Sequence, residues 1–203
     1  MLKLYYSPMS RAVRPRWVLE EVGAPYELVR IDLSKNEQKR PAYLEVNPNG
    51  TVPALEDGDL RLFESAAICQ YLADKFPEAR LAPPVGTPAR GLYYQWIHYA
   101  MSGIEPPAVT IFLHTVRRPE AERIPRLVDE ARVQLAAALR VVEGALAGRD
   151  YLLGREFSAA DVMIGSTLRW CGMMGLLGSD LPATGAYLER LTARPAQQRA
   201  SKD

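Results

Sequence analysis

The chain has 203 residues, with 25 Lys and Arg against 24 Asp and Glu, for a formal net charge of +1. This balance creates no overall field for nucleic acid or an anionic membrane, so we expect neither as a partner. No stretch approaches the roughly 18 apolar residues of a membrane span, and we expect an unexported, cytoplasmic protein. Cys69 and Cys171 lie far apart in apolar segments without metal-ligand spacing, which indicates buried free thiols and no metal site.

The first third of the sequence opens with a predicted β-α-β unit. Leu2–Tyr6 is short, aromatic and apolar, as a strand is, and the polar run 7–10 ends it. Helical spacing over Arg11–Val22 predicts a helix, although Pro15 indicates either a kink or a displaced start. Tyr26–Ile31 alternates polar and apolar residues as a second strand. The crossover between the two strands is expected to be right-handed.

An irregular arm and a second small unit follow. Residues 36–44 are polar with a weak helical pattern, and residues 47–53 have turn chemistry throughout. Val52–Leu55 and Leu60–Phe63 predict an antiparallel hairpin around Asp57 and Gly58. Ser65 is placed to cap the next helix, whose apolar stripe runs from Ile68 to Phe76.

The remainder of the chain has helical patterns only. Four prolines and a glycine between residues 77 and 88 predict a linker, which we place at 80–87 between a domain at 1–79 and a domain at 88–203. Leu92–Leu113 and Ile124–Leu146 predict two long helices. Ser158 and Asp161 form a capping-box pattern at the start of another helix. A last amphipathic stretch is expected to end at Arg194 and Pro195.

Four short motifs occur in a distinctive order along these elements. They are Ser-Pro-Met-Ser-Arg-Ala-Val at 7–13, Asn-Pro-Asn-Gly-Thr-Val-Pro at 47–53, Phe-Glu-Ser-Ala-Ala-Ile at 63–68 and Phe-Ser-Ala-Ala-Asp at 157–161. Each is weak alone, but together the chain resembles the soluble glutathione transferases over nearly its whole length. The resemblance implies an α/β thioredoxin-like domain (β-α-β, arm, β-β-α) followed by an all-α domain. Within the family, Ser7 and the run 10–13 are most similar to the serine-using theta, zeta and tau classes.

The resemblance implies that Ser7 is the catalytic residue. A glutathione thiol, with a pKa near the ~8.5 of free cysteine, is mostly protonated at pH 7, so a donor must stabilise its thiolate. Ser7 follows a strand and precedes a helix start, where its hydroxyl would donate to the sulfur. Ser10 is the second candidate donor. From local chemistry alone, Ser7 is typical of a turn residue before Pro8, and Ser10 is typical of an N-cap.

Glutathione is the implied cosubstrate, and three segments are expected to bind it. The resemblance implies a cis bond between Val52 and Pro53, with the Val52 backbone facing the cysteinyl part. Glu64 and Ser65 open a helix, whose N-terminal amides suit the γ-glutamyl carboxylate. Gln38 and Lys39 lie where relatives contact the glycine carboxylate. Without the resemblance, they are typical of a solvent-exposed surface.

The second substrate is expected to be a small hydrophobic electrophile, and the resemblance places the reaction in detoxification. Met9, Arg11, Met101 and Ile104 are the candidate contacts for it. Two other classes of function stay open: a glutathione-dependent isomerase or dehalogenase, and a non-catalytic binding module of the same fold. The Ser-Ser-Cys stretch of the zeta isomerases is absent from the sequence. A homodimer is expected, as in other family members.

Overall fold

A computed structural model describes residues 1–202, which divide into two compact units. One unit comprises Met1–Pro83 together with the C-terminal segment from Thr192, and the other comprises Pro84–Leu191. The division falls within the expected linker. The last residues were expected to join the helical domain, but they pack on the first unit instead.

The first unit is built on a four-stranded mixed sheet in the order β2-β1-β3-β4. The strands are β1 (Leu2–Tyr6), β2 (Tyr26–Arg30), β3 (Ala54–Asp57) and β4 (Leu60–Phe63). β1 pairs parallel to β2 and antiparallel to β3, and β3 pairs antiparallel to β4. This confirms the β-α-β unit and the hairpin. The turn residues are Gly58 and Asp59, one position later than expected, because Asp57 still pairs with Leu60.

The helices of the first unit flank this sheet. They are α1 (Val13–Val22), α2 (Pro41–Leu44), α3 (Ser65–Lys75) and, in the C-terminal segment, α9 (Pro195–Ala200). Two single 3₁₀ turns, Leu33–Lys35 and Glu37–Lys39, form the arm before α2. The displaced start expected at Pro15 is confirmed: α1 begins at Val13, so Pro15 lies in the first turn, where its missing N–H costs no helical hydrogen bond.

The helix α9 was missed by sequence reasoning, which ended the regular structure at Pro195. Pro195 occupies the first turn of the helix, a position that proline favours, and it therefore starts the helix rather than stopping one. The segment is held on α1 by two ion pairs, Arg194 with Glu21 at 2.7 Å and Arg199 with Glu20 at 2.6 Å. The segment is short and largely polar, so the sequence gave no periodic signal for these contacts.

The second unit consists of helices α4 to α8. They are α4 (Pro88–Tyr99), α5 (Glu105–Phe112), α6 (Pro125–Leu146), α7 (Ala159–Met173) and α8 (Pro182–Thr192), the last residue of which belongs to the first unit. The long helix α6 and the capping box of α7 are confirmed. The expected uninterrupted helix over 92–113 is wrong, because a π-helical segment, Ala100–Ile104, separates α4 from α5. Pro106 and Pro107 have no N–H for an α-helical bond to residues 102 and 103, which accounts for the interruption.

Candidate active site

Ser7 lies directly after β1 and is buried, with 6% of its surface exposed. Met9 then takes a left-handed conformation at φ 55°, which turns the chain toward α1. The Ser10 hydroxyl donates to the Ser7 carbonyl at 2.6 Å and accepts from the Ala12 N–H at 3.2 Å. Ser10 is therefore not the N-cap of α1, which is Ala12, because its hydroxyl closes the preceding turn. The Ser10 hydroxyl therefore contacts the backbone carbonyl of Ser7 and not the Ser7 hydroxyl.

The strand register brings three predicted site residues to the same end of three adjacent strands, β1, β3 and β4. Tyr5 pairs with Ala54, so Ser7 and Val52 each lie two residues beyond that pair, on the same side. Ala54 also pairs with Phe63, which places Val52 and Ser65 in the same relation across β3 and β4. Ser7, Val52 and Ser65 thus flank the same ends of three adjacent strands, and the usual spacing of about 4.8 Å between strands would give a line of roughly 10 Å through these three positions.

The segment before β3 presents the backbone of Val52. The Val52–Pro53 peptide bond is cis, as expected. Val52 precedes β3, so its backbone groups are outside the β-ladder. The preceding loop is fixed because the Thr51 carbonyl accepts from Tyr43 Oη and from Asn47 Nδ2, both at 2.7 Å.

Ser65 opens α3 and is almost fully buried, with 2% of its surface exposed. The expectation that Ser65 caps this helix is wrong: the N-cap is Glu64, at φ 71° and without a side-chain cap bond. Ser65 Oγ instead accepts a hydrogen bond from Arg14 Nη1 at 3.2 Å. Arg14 comes from α1, is itself 3% exposed, and was not among the residues singled out in the sequence. The positive charge of Arg14 is evident from the sequence, but no local pattern predicts its contact with Ser65, which lies 51 positions away.

Two family models match the chain, and relatives match nearly all of it. The glutathione S-transferase N-terminal domain matches residues 1–74, and the C-terminal domain matches residues 125–191. A glutathione S-transferase from Escherichia coli O157:H7 is 32% identical, over 98% of this chain and 96% of its own. The chain belongs to the glutathione S-transferase family.

Solved structures agree with this assignment. A glutathione transferase from Methylococcus capsulatus has a TM-score of 0.88 and 35% identity, covering 99% of this chain and 97% of its own. One from Phanerochaete chrysosporium, in complex with oxidised glutathione, has a TM-score of 0.88 and 30% identity, covering 98% and 94%. The protein is accordingly a glutathione transferase with the two-part fold that the sequence predicted.

In the transferase, Gln38 and Lys39 lie on the arm beside the 47–50 loop. Lys39 Nζ donates to the Asn49 carbonyl at 3.1 Å. Gly50, at φ 58°, permits this close approach, since a Cβ there would lie 2.8 Å from both Lys39 Nζ and the Gln38 carbonyl. Within the described part of the chain, Gln38 Oε1 is buried and has no hydrogen-bond partner. A buried unpaired amide oxygen is costly, so it marks a position where a ligand donor would be stabilising.

The residues expected to contact the electrophile differ in exposure. Met9 is 83% exposed and Arg11 is exposed, both in the first unit. Met101 is half-buried in the π-helical segment of the second unit. Ile104 in the same segment is fully buried, so its side chain belongs to the core of the helical unit in this structure.

Asp161 and Cys69 are two further titratable groups, and both are fully buried. Asp161 accepts from the Leu152 N–H at 3.0 Å, the Ser158 N–H at 2.8 Å and Tyr187 Oη at 3.0 Å. Burial raises the pKa of Asp161, and these donors partly offset that. Burial likewise raises the pKa of the Cys69 thiol to about 12, despite the nearby positive charge of Arg14. Asp161 and Cys69 are thus suited to packing rather than to chemistry.

Across residues 1–202, no three His, Cys, Asp or Glu side chains come together in a way that would hold a metal ion. No helix in the described chain is long and apolar enough to cross a membrane.

Proposed function

We propose that this transferase conjugates the glutathione thiolate to a small hydrophobic electrophile, with Ser7 stabilising the thiolate. The Ser7 hydroxyl donates to the sulfur, which lowers the pKa of the bound thiol, and the thiol proton leaves to solvent. A sulfur lone pair then forms the S–C bond. In a substitution, the leaving group departs with the electrons of the bond that breaks. In an addition, the π electrons of an activated double bond shift away from the attacked carbon, and the resulting anion takes a proton from solvent. Binding both reactants in one site supplies the proximity.

The observation that carries this proposal is that Ser7, Val52 and Ser65 flank the same ends of three adjacent strands, which would place them on one line. A bound glutathione extended along that line would place its sulfur at Ser7, its cysteinyl amide at the Val52 backbone and its γ-glutamyl end at Ser65. The span of roughly 10 Å suits an extended peptide of this length. The involvement of the Ser10 hydroxyl in the turn at 7–12 favours Ser7 as the donor.

The γ-glutamyl end is held by the first turn of α3 and by Ser65. Amides at a helix N-terminus attract a carboxylate. Because Ser65 Oγ already accepts from Arg14, its own O–H remains to donate to the ligand carboxylate. The exposed Glu64 supplies a negative charge for the glutamyl ammonium group.

The glycine end is held by the arm. Lys39 supplies positive charge to the glycine carboxylate, and the buried Gln38 Oε1 accepts from a ligand amide N–H. Met9 and Arg11 in the first unit and Met101 in the second are separate candidate contacts for the electrophile, whereas the Ile104 side chain is in the core of the helical unit. We also propose that the protein is a cytoplasmic homodimer of the serine-using type.

The test follows both substrates in one reaction. Purified protein is first applied to immobilised glutathione and then incubated with glutathione and a panel of aryl halides, epoxides and activated alkenes. Conjugation predicts stoichiometric loss of thiol and a thioether product by mass spectrometry. Substrate rearrangement without thiol loss would instead indicate an isomerase, and halide release with recovered glutathione a dehalogenase. Retention on the resin without turnover of any electrophile would indicate a binding module.

A further inference from the structure

Arg14 is a buried cation whose side chain reaches from α1 to the start of α3. It lies in the first turn of α1 and is 3% exposed. Its Nη1 donates to Ser65 Oγ at 3.2 Å, across 51 residues of sequence, and Ser65 is itself 2% exposed. The charge of Arg14 is thus held one hydrogen bond away from the residue proposed to bind the γ-glutamyl carboxylate.

The contact with Arg14 decides what the Ser65 hydroxyl can do. A serine hydroxyl has one proton to donate and accepts through the lone pairs of its oxygen. Because one lone pair of Ser65 accepts from Arg14, its proton points away from the guanidinium group. Hydrogen bonds in a chain polarise one another, so an oxygen that accepts from a cation makes its own O–H a stronger donor. Ser65 is thereby prepared to donate to an anion.

The charge of Arg14 is also felt elsewhere at the start of α3. Burial raises the pKa of the Cys69 thiol, one turn after Ser65, and the positive charge of Arg14 opposes that rise. Glu64, the neighbour of Ser65, is exposed and negative, so by itself it would repel a ligand carboxylate. The charge of Arg14 offsets this repulsion, and because it is buried, salt screens it only weakly.

We propose that Arg14 is a positioning residue that makes the start of α3 selective for a carboxylate. It orients the Ser65 hydroxyl toward the γ-glutamyl carboxylate and supplies positive charge behind that hydroxyl. This inference rests on the proposed binding of the γ-glutamyl end at Ser65. A neutral amide at the same position of the ligand gains much less from either effect. Arg14 should therefore set the preference for glutathione over its glutamyl α-amide.

The first test compares glutathione with the analogue whose glutamyl α-carboxylate is an amide, by calorimetry with the full-length protein. The parent should bind glutathione about tenfold or more tightly than the amide, and Arg14→Met should reduce that preference to about threefold or less. Arg14→Lys keeps the charge and should restore most of the preference. Arg16→Met is the matched control and should leave the preference unchanged. Arg16 lies on the same helix and is 9% exposed, but it contacts the Tyr6 ring and the Arg199 carbonyl.

Steady-state kinetics separates this role from a purely structural one. Because Arg14 acts on binding and not on the sulfur, Arg14→Met should raise KM for glutathione about tenfold and change kcat by less than about threefold. In a Ser65→Ala background, Arg14→Met should weaken glutathione binding by only about a further threefold, since the contact through which it acts is already lost. Circular dichroism checks the fold of each variant, and Arg14→Gln, which also removes the charge, replaces Arg14→Met if that variant does not fold.

The outcomes distinguish this inference from the proposed function on which it rests. A folded Ser65→Ala variant that binds glutathione as tightly as the parent would overturn the glutamyl site, and the role of Arg14 with it. If Ser65→Ala weakens binding but the neutral Arg14 variant keeps the preference for the carboxylate, only the role of Arg14 is wrong. Fully additive effects of the two substitutions, or a fall in kcat with unchanged KM, would also overturn that role.

Discussion

Ser7 and Ser10 hold their hydroxyl groups in different environments. Ser10 both donates and accepts within the turn before α1, whereas Ser7 is buried at the end of β1. A hydroxyl that already donates to a carbonyl has no proton left for a thiolate. This difference gives the two serines separate predictions.

Replacing Ser7 by Ala should lower turnover roughly ten- to a hundredfold. A hydrogen bond to a charged partner contributes about 1.5–3 kcal/mol, and about 1.4 kcal/mol corresponds to tenfold in rate. The pKa of the bound thiol should rise, because the hydroxyl stabilises only the charged form. Affinity for glutathione should fall less, since Val52 and Ser65 still bind the peptide.

The measurement is a titration of bound thiolate by its ultraviolet absorbance, with rates measured in parallel. Ser10→Ala is the matched control and should leave the thiol pKa nearly unchanged. A raised pKa in the Ser10 variant alone would assign the role to Ser10. No change in either variant would refute activation by a hydroxyl group.

Ser65 is the second residue with a direct test. Ser65→Ala should weaken glutathione binding roughly ten- to a hundredfold, the equivalent of the about 1.5–3 kcal/mol of one hydrogen bond to a charged group. Ser65→Glu should weaken it further by placing like charge beside the γ-glutamyl carboxylate. Calorimetry measures both affinities, and circular dichroism checks that the Glu variant is folded. Unchanged affinity in the folded variants would show that the N-terminus of α3 is not the glutamyl site.

Among the helices, α8 depends on a residue from another helix for its start. Glu143 of α6 accepts from the Ala183 and Thr184 N–H groups, both at 2.8 Å, and from the Thr184 hydroxyl at 2.7 Å. These amides are among the first N–H groups of α8, which have no partner within the helix. The carboxylate also interacts favourably with the helix dipole. Glu143 thus links α6 to the start of α8.

Glu143→Gln should destabilise the protein by roughly 1–2 kcal/mol, since the charge and one strong acceptor are lost. Burial raises the pKa of Glu143, but the hydrogen bonds from Ala183 and Thr184 lower it below its ordinary 4.5 overall. Its contribution to stability is therefore complete above about pH 4.5 and is lost as pH falls through the lower folded pKa.

Urea unfolding of parent and variant at pH 7 and near pH 3 measures this difference. The gap in unfolding free energy should narrow at the lower pH. A gap that is absent at pH 7, or that widens in acid, would contradict the capping role.

At the scale of the whole molecule, the expected homodimer needs an exposed apolar surface. Ile68 and Trp96 do not supply it, because both are buried within their own units. The apolar side chains that remain exposed include Phe63 at 37% and Leu60 at 40% in the first unit, and Leu92 at 45% in the second. These are the candidates for a two-fold interface.

Light scattering at micromolar concentration should give a mass of about twice the 22.6 kDa of one chain. Leu92→Glu should shift the protein toward monomer, because it would bury unpaired charge in the interface. Val133→Glu is the control, at a more exposed apolar position on α6, where the added charge stays in solvent. A parent mass near 22.6 kDa would contradict the dimer.

Several features of the fold could be predicted because their determinants lie close together in the sequence. The capping box at Ser158 and Asp161 joins residues three apart, and the periodic pattern of α6 repeats every three to four residues. The motifs at 7–13, 47–53 and 63–68 likewise indicated the family as an ordered set, and the family is confirmed. The positions of Ser7, Val52 and Ser65 at the same ends of adjacent strands then follow from the pairing of β1, β3 and β4.

Other features were decided by tertiary structure alone. The Arg14–Ser65 hydrogen bond spans 51 residues, the Glu143 cap spans about 40, and the ion pairs of α9 with α1 span more than 170. Each depends on which helix faces are packed together, and a single sequence carries no local signal for that. The sequence by itself therefore determined most of the elements and the family, and the site residues that it predicts stay a prediction. Packing determined which polar side chains support them, because a buried donor must find its acceptor wherever the fold brings one within reach.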